Sequence, residues 1–233
     1  MKAFIEQYFG LGDVIWSQGI ANHLFEQGHT SVLWPVEDKY FEGCKNAYPR
    51  INFFPQSLIQ PEWFQIKDKR IIGDIEVVPI RWSDSFMQVP YKDVMKAKYM
   101  MYDLDWQMWR EHAQWDRSMV REIDLHKKLG LGGKRYNVIN NRFGSSGDRR
   151  VNIHVSNTYE NVEMKEVEGF SLFDWYLVLM MAEEIHTVST SLLYILELLP
   201  IQKPIHLYVR EGVETSFDFV SFLFTKNYIL HTP

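Results

Sequence analysis

The chain has 233 residues, enough for one large domain or two small ones, and its 46% hydrophobic and 24% charged residues are the balance of an ordinary globular protein. A net charge of −5 with no long Lys/Arg run argues against nucleic acid as a partner, and no uncharged apolar run approaches the roughly 20 residues of a membrane span. The one cysteine, Cys44, excludes an internal disulfide and a cysteine-based zinc site and fits a reducing compartment; Glu6 interrupts the only apolar N-terminal stretch, so no signal peptide and a cytoplasmic location are expected.

In chain order, MKAFIEQYF predicts a first buried strand. Gly10 and Gly12 bracket Leu11 in a turn, and Asp13 follows as a good N-cap for a helix carrying Ile15, Gly19, Ala21, Leu24 and Phe25 near one face. Gly28 stops that helix and SVLWPV resumes as a strand. In open α/β sheets the helix N-terminus at such a turn lies at the ligand-binding edge. A short polar helix (EDKYFEGCKNAYPR), a third strand (INFFP) and an alternating segment broken at Gly73 and Pro79 come next. Residues 99–102 read as one more short strand. From 105 to 129 there is no Gly or Pro, and Trp106, Trp109, Ala113, Val120 and Ile123 share a helical face, which predicts one long helix. LGLGGKR then breaks the chain, and the domain boundary is placed there, between residues 1–132 and 133–233.

The second half repeats the alternation. YNVINNRF reads as a strand, VNIHVS (or else VEMKEV) as the next, and Ser171 opens a buried helix. IHTVSTS is a strand running into a loop, SLLYILELL a helix, PIHLYVR a strand, and the apolar tail a last helix or strand. Strands alternating with helices in both halves predict an α/β fold of two Rossmann-like lobes with a cleft between them.

Four stretches carry chemistry. In GLGD, the third glycine of a nicotinamide fingerprint is replaced by Ile15, and Asp13 stands where a pyrophosphate would meet bare N–H groups. A carboxylate there suits a base that takes a proton from a hydroxyl; it suits helix capping as well. In IHTVSTS, Thr187, Ser189, Thr190 and Ser191 offer hydroxyls and backbone N–H groups to a phosphate, or ordinary caps to a helix. In NNRFGSSGDRR, Asn141, Arg142, Ser145, Ser146, Arg149 and Arg150 make either an anion-binding loop or a solvated turn. In YDLDW, Asp103 and Asp105 have a D-x-D spacing that could hold a divalent ion, although Asp105 also reads as the cap of the long helix. The eight histidines show no paired ligand spacing on a helix face, so no metal site is assigned.

Taken together these residues resemble the GT-B glycosyltransferases, most closely the heptosyltransferase-like branch, glycosyltransferase family 9. The resemblance rests on Gly10-Leu11-Gly12-Asp13, Gly28-His29, Gly169-Phe170-Ser171-Leu172, Thr187-Val188-Ser189-Thr190-Ser191 and Lys203-Pro204. It implies that Asp13 is the catalytic base of an inverting transfer, and that Gly12, the strand end at Asn141, Arg142, Ser145 and Ser146, and the loop of Thr187, Ser189, Thr190 and Ser191 bind the donor. Two departures stand out: Ser189 replaces the acidic residue of the second motif and Ser191 its glycine, which alters a donor-sugar contact, and the chain is about 100 residues shorter than two full-size lobes are expected to need, which predicts a shortened first lobe. The reading is a glycosyltransferase that moves a sugar from a nucleotide-sugar donor to an acceptor hydroxyl, with no cofactor or metal required. Its partners are the nucleotide sugar and a glycan or other acceptor; a homo-oligomer is left open. The alternatives are a metal-dependent glycosyltransferase using Asp103 and Asp105, and a nucleotide- or sugar-binding protein without turnover. Trp63, Phe64 and Trp82 offer a sugar platform or a partner surface on the first lobe.

Overall fold

The computed structural model describes residues 1–7, 10–59, 70–80, 93–143, 149–155, 158–209, 221–223 and 225–231. It divides into two compact units, Met1–Asp116 and Arg117–Pro233. Each is an α/β unit built on a five-stranded sheet.

In the first unit the strands are β1 (Lys2–Glu6), β2 (Ser31–Val36), β3 (Asn52–Pro55), β4 (Arg70–Ile72) and β5 (Ile75–Pro79), in the order β3-β2-β1-β5-β4. All pair in parallel except β4, which turns back on β5 through Gly73 at φ 61°. The helices are α1 (Leu11–Trp16), α2 (Gln18–Glu26), α3 (Phe41–Ala47), α4 (Val94–Met100) and α5 (Trp109–His112). The first predicted helix is thus two, divided at the buried Ser17. Gly28, at φ 90°, lets the chain leave α2 in the left-handed region, where a side chain would be strained.

Aromatic packing locks these helices together. Trp16 is fully buried; its indole N–H donates to the Met95 carbonyl at 2.8 Å, and its ring meets Trp109 at 5.1 Å and Tyr99 edge-on at 5.4 Å. The Tyr99 hydroxyl donates to the Trp16 carbonyl at 2.5 Å and accepts from the Gly19 N–H at 3.3 Å. This explains why residues 99–102 do not form a strand: Tyr99 closes α4 onto the α1–α2 junction. A Cβ on Gly19 would meet the Tyr99 ring at 2.7 Å. Gly19→Ala is therefore expected to destabilise the protein by about 1–3 kcal/mol, the usual cost of overpacking, measurable by urea unfolding. Cys44 is buried, and burial alone pushes its thiol up to about 12, so it is an inert core residue.

The helix expected over residues 105–129 is divided. Asp105 accepts the Gln107 N–H at 2.9 Å and starts a 3₁₀ turn that leads into α5. The chain then runs without helix until Ser118 caps α6 (Met119–Lys128). Trp109 and Ala113 are buried, whereas Val120 and Ile123 are exposed, so the shared apolar periodicity belongs to two separate units. The units divide at 116/117, where the sequence reading expected 132/133, because α6 packs on α7 (Tyr176–Met181) in the second unit.

The second unit contains β6 (Tyr136–Asn140), β7 (Arg142–Phe143), β8 (Arg149–Arg150), β9 (Glu160–Glu163), β10 (Ile185–Val188), β11 (Ile205–Tyr208), β12 (Tyr228–His231) and helix α8 (Ser191–Leu198). Its main sheet is all parallel, in the order β12-β11-β10-β6-β9; β7 and β8 form a small antiparallel pair. The strand next to β6 is β9, not VNIHVS, whose described residues form no strand. Ser171 and Asp174 make a capping box ahead of α7, and Arg121 of α6 grips the Asp174 carboxylate at 2.8 and 2.9 Å. Burial pushes Asp174 up, but the hydrogen bonds from Arg121 and Ser171 outweigh it and hold the carboxyl below its ordinary range. At the far edge the buried Glu197 of α8 accepts from the Thr225 N–H and hydroxyl and from the Tyr228 hydroxyl, fixing β12 to the sheet. Among the described residues, no helix is long and apolar enough to cross a membrane.

Candidate functional site

In the first unit the candidate site follows the carboxyl end of β1, the strand at the centre of its sheet. Gly10, not Asp13, is the N-cap of α1, and no side chain caps that helix. Asp13 lies in the first helical turn, its N–H bonded to the Gly10 carbonyl at 3.0 Å. Gly12 stands immediately before it in the same turn. The Asp13 carboxylate is thereby released from capping, and it pairs with the Lys98 ammonium of α4. Lys98 is buried while Asp13 is about a quarter exposed, 3% against 26% of the side chain. The carboxylate is thus paired with a buried ammonium while part of it stays accessible. Since Tyr99 clamps α4 to the α1–α2 junction, its neighbour Lys98 is delivered to Asp13 by the same packing. Sequence reading missed Lys98, whose only signal is a lysine inside an apolar helix, VMKAKYM.

In the second unit the loop after β10 carries the other candidates. Thr187 is buried; Ser189, Thr190 and Ser191 are half-buried. Thr190 is the N-cap of α8, accepting the Leu192 N–H at 3.4 Å. Asn140, the last residue of β6, donates through Nδ2 to both Thr187 Oγ1 and Thr190 Oγ1 at 2.9 Å. One amide thus ties the strand end to the helix start. Asn140 was not singled out from the sequence, where Asn141 drew attention as its neighbour. Asn141 Oδ1 is buried with no hydrogen-bond partner among the described residues. Arg142 bonds Glu163 of β9 at 3.3 Å, and Arg150 lies 3.6 Å from the same carboxylate, so two of the three arginines of the loop are engaged. Ser145 and Ser146 lie outside the described residues, as do Trp63, Phe64 and Trp82.

Replacing Asn140 by alanine removes both tethers to the loop of Thr187 and Thr190. The expected loss is about 1–3 kcal/mol of stability, the range for buried hydroxyls losing a donor, and it is checked by thermal unfolding of the Asn140→Ala protein.

Asp103 lies in a turn at φ 54°, and the Asp105 carboxylate is occupied as a cap. Among the described residues the one group able to gather three metal-binding side chains is Glu184, His186 and His206. Ligand spacing along helix faces does not reveal it, because His186 and His206 stand on neighbouring strands and Glu184 just before one of them. His186 and His206 face each other across β10 and β11, with Glu184 two residues before His186. Burial, then the neighbouring His206, push the His186 imidazole below its ordinary value, and burial does the same to His206.

No family model and no curated protein matches the chain. Solved structures do. The glycosyl transferase family 9 protein from Veillonella parvula matches 99% of this chain and 86% of its own at 9% identity, with a TM-score of 0.54. The fold is GT-B-like. The E. coli heptosyltransferase WaaC, solved with ADP-2-deoxy-2-fluoro heptose, matches 99% of this chain and 93% of its own at 12% identity and a TM-score of 0.44. TibC of enterotoxigenic E. coli, an iron-containing dodecameric glycosyltransferase, matches 89% of this chain and 57% of its own at 10% identity and a TM-score of 0.49.

Proposed function

We propose that the protein is a glycosyltransferase that moves a sugar from a nucleotide-sugar donor to an acceptor hydroxyl with inversion and without a metal at the reacting centre. The observation that carries this reading is Asp13: a partly exposed carboxylate, beyond the carboxyl end of the central strand, freed from capping and backed by a buried ammonium. The acceptor oxygen attacks the anomeric carbon as its proton passes to Asp13. The bond to the nucleoside diphosphate breaks and the leaving group takes the electron pair. Lys98 orients the carboxylate throughout and is a positioning residue.

The second unit supplies the donor side, with Asn141, Arg142 and the loop of Thr187, Ser189, Thr190 and Ser191 as its contacts. Backbone N–H groups at the start of α8 and Arg142 or Arg149 stabilise the leaving diphosphate, the role a metal ion plays in other transferases. The similarity to a family 9 fold supports this division of labour, and the engagement of Asp105 as a cap tells against the Asp103/Asp105 metal reading.

The test is a panel of nucleotide sugars with sugar and glycan acceptors, read by mass spectrometry of the product and by the anomeric configuration in its NMR spectrum. One donor class giving an inverted glycoside supports the proposal. Tight donor binding with no product across the panel would favour a binding protein without turnover.

A further inference from the structure

We infer that the second unit carries a binding site for a divalent cation of the zinc class, built from Glu184, His186 and His206 on one face of its sheet. The register places His186 of β10 directly opposite His206 of β11, and Glu184 shares their face because strand side chains alternate. Three potential donor atoms converge. Glu184 Oε2 lies 3.2 Å from His186 Nε2 and 3.8 Å from His206 Nε2, and the three atoms all fall within 4.8 Å of one another. Donors bound tetrahedrally at about 2.0–2.1 Å stand roughly 3.4 Å apart, so these separations nearly frame an ion already.

The supporting shell points the same way. His186 Nδ1 bonds the Tyr208 hydroxyl at 3.1 Å, and His206 Nδ1 bonds His231 Nε2 at 2.9 Å. Each imidazole therefore uses its far nitrogen to hold its ring and presents Nε2 to the carboxylate, the arrangement in which ligating histidines are usually supported. Those supports are themselves fixed: β12, which carries His231, is tied to Glu197 through Tyr228, and the Tyr208 and His231 rings stack at 4.3 Å. His186 is buried, while Glu184 and His206 are half-buried, which leaves a route for an ion.

One feature must change on binding. The His186 and His206 rings stack at 4.3 Å with 10° between their planes, and a common ion needs both in-plane lone pairs to meet. His206, the more exposed of the two, turns its ring out of the stack on binding, and its bond to His231 must re-form in the new position. Two imidazoles and one carboxylate select zinc-like ions over magnesium or calcium, which prefer oxygen ligands. A fourth position is left for water. The ion would pin β10 to β11. Thr187 lies on the opposite face from His186 by strand alternation, so this site is separate from the proposed donor loop and independent of the transfer reading.

The test uses the full chain, stripped with EDTA and dialysed against Zn²⁺ with metal analysis, and separately titrated with Co²⁺ while visible absorption is followed. One Zn²⁺ per chain, and d–d bands of a four-coordinate Co²⁺ site, are expected. Both should be lost in Glu184→Gln and in His206→Gln, whose half-buried positions favour retention of the fold, and circular dichroism of the metal-free variants verifies this. Tyr208→Phe should bind about 10–100-fold more weakly, the usual effect of losing a supporting hydrogen bond. Absence of stoichiometric Zn²⁺ and of the Co²⁺ bands in the wild-type chain, or binding unchanged in both ligand variants, would overturn the inference. Neither result bears on transfer, which is read separately from product.

Discussion

Asp13→Asn is expected to lower the rate of sugar transfer by about 10²–10⁴-fold, the range for loss of a general base, while donor affinity stays close to that of the wild type. An amide keeps the size of the carboxylate and can still accept a hydrogen bond from Lys98. It cannot take the acceptor's proton. The substitution also removes the counter-charge of a buried lysine, so part of any loss could come from a weakened α4 contact. The double variant Asp13→Asn/Lys98→Met separates the effects, since it removes the buried charge along with its partner. It should recover stability and remain inactive. A single variant that folds, binds donor and transfers sugar at the wild-type rate would remove Asp13 from the mechanism.

The second large effect is on stability. His29→Leu is expected to destabilise the first unit by roughly 3–5 kcal/mol, the cost of removing one member of a buried polar pair. His29 is buried at the end of the α2–β2 turn, with Nδ1 on the Leu24 carbonyl at 2.8 Å and Nε2 on Glu76 Oε2 at 2.8 Å. The carbonyl can only accept, so Nδ1 carries a hydrogen and donates it, while Nε2 pairs with the Glu76 carboxylate. This joins the helix end to β5, beside β1 in the sheet that leads to Asp13. Glu76→Gln, which retains an acceptor for Nε2, should cost less. Equal and small losses for the two variants in urea unfolding would show that the pair contributes little.

The strands were legible where patterning is local. Runs such as SVLWPV and PIHLYVR are short, β-branched or apolar, and bounded by turn residues, and they became β2 and β11. Gly28-His29 likewise marked a real helix end. The helix predicted over residues 105–129 failed because periodicity does not report which core an apolar residue joins: Trp109 packs in one unit and Leu125 in the other. VNIHVS has strand composition, but ENVE holds the place beside β6, an outcome set by tertiary pairing.

The candidate site was legible as residue types and not as partnerships. Asp13 could be seen, yet its release from capping depends on Gly10 taking the cap position, and its pairing with Lys98 spans a long sequence separation. Asn140 was overlooked because two adjacent asparagines at a strand end look alike until the pleat assigns them to different faces. The Glu184, His186 and His206 group was invisible to a search along single elements because parallel strands bring its members together across a crossover.

The most direct test of the transfer reading is a thermal-shift titration of the full chain with nucleoside diphosphates and nucleotide sugars, each with and without EDTA. A ligand at 100 times its Kd should stabilise by about 2.7 kcal/mol, a readily visible shift. The account predicts that one nucleotide family raises Tm, and that the increment is the same in EDTA whatever EDTA does to the baseline. An increment that vanishes with EDTA would contradict metal-independent donor binding, and no increment from any nucleotide would contradict the donor site itself.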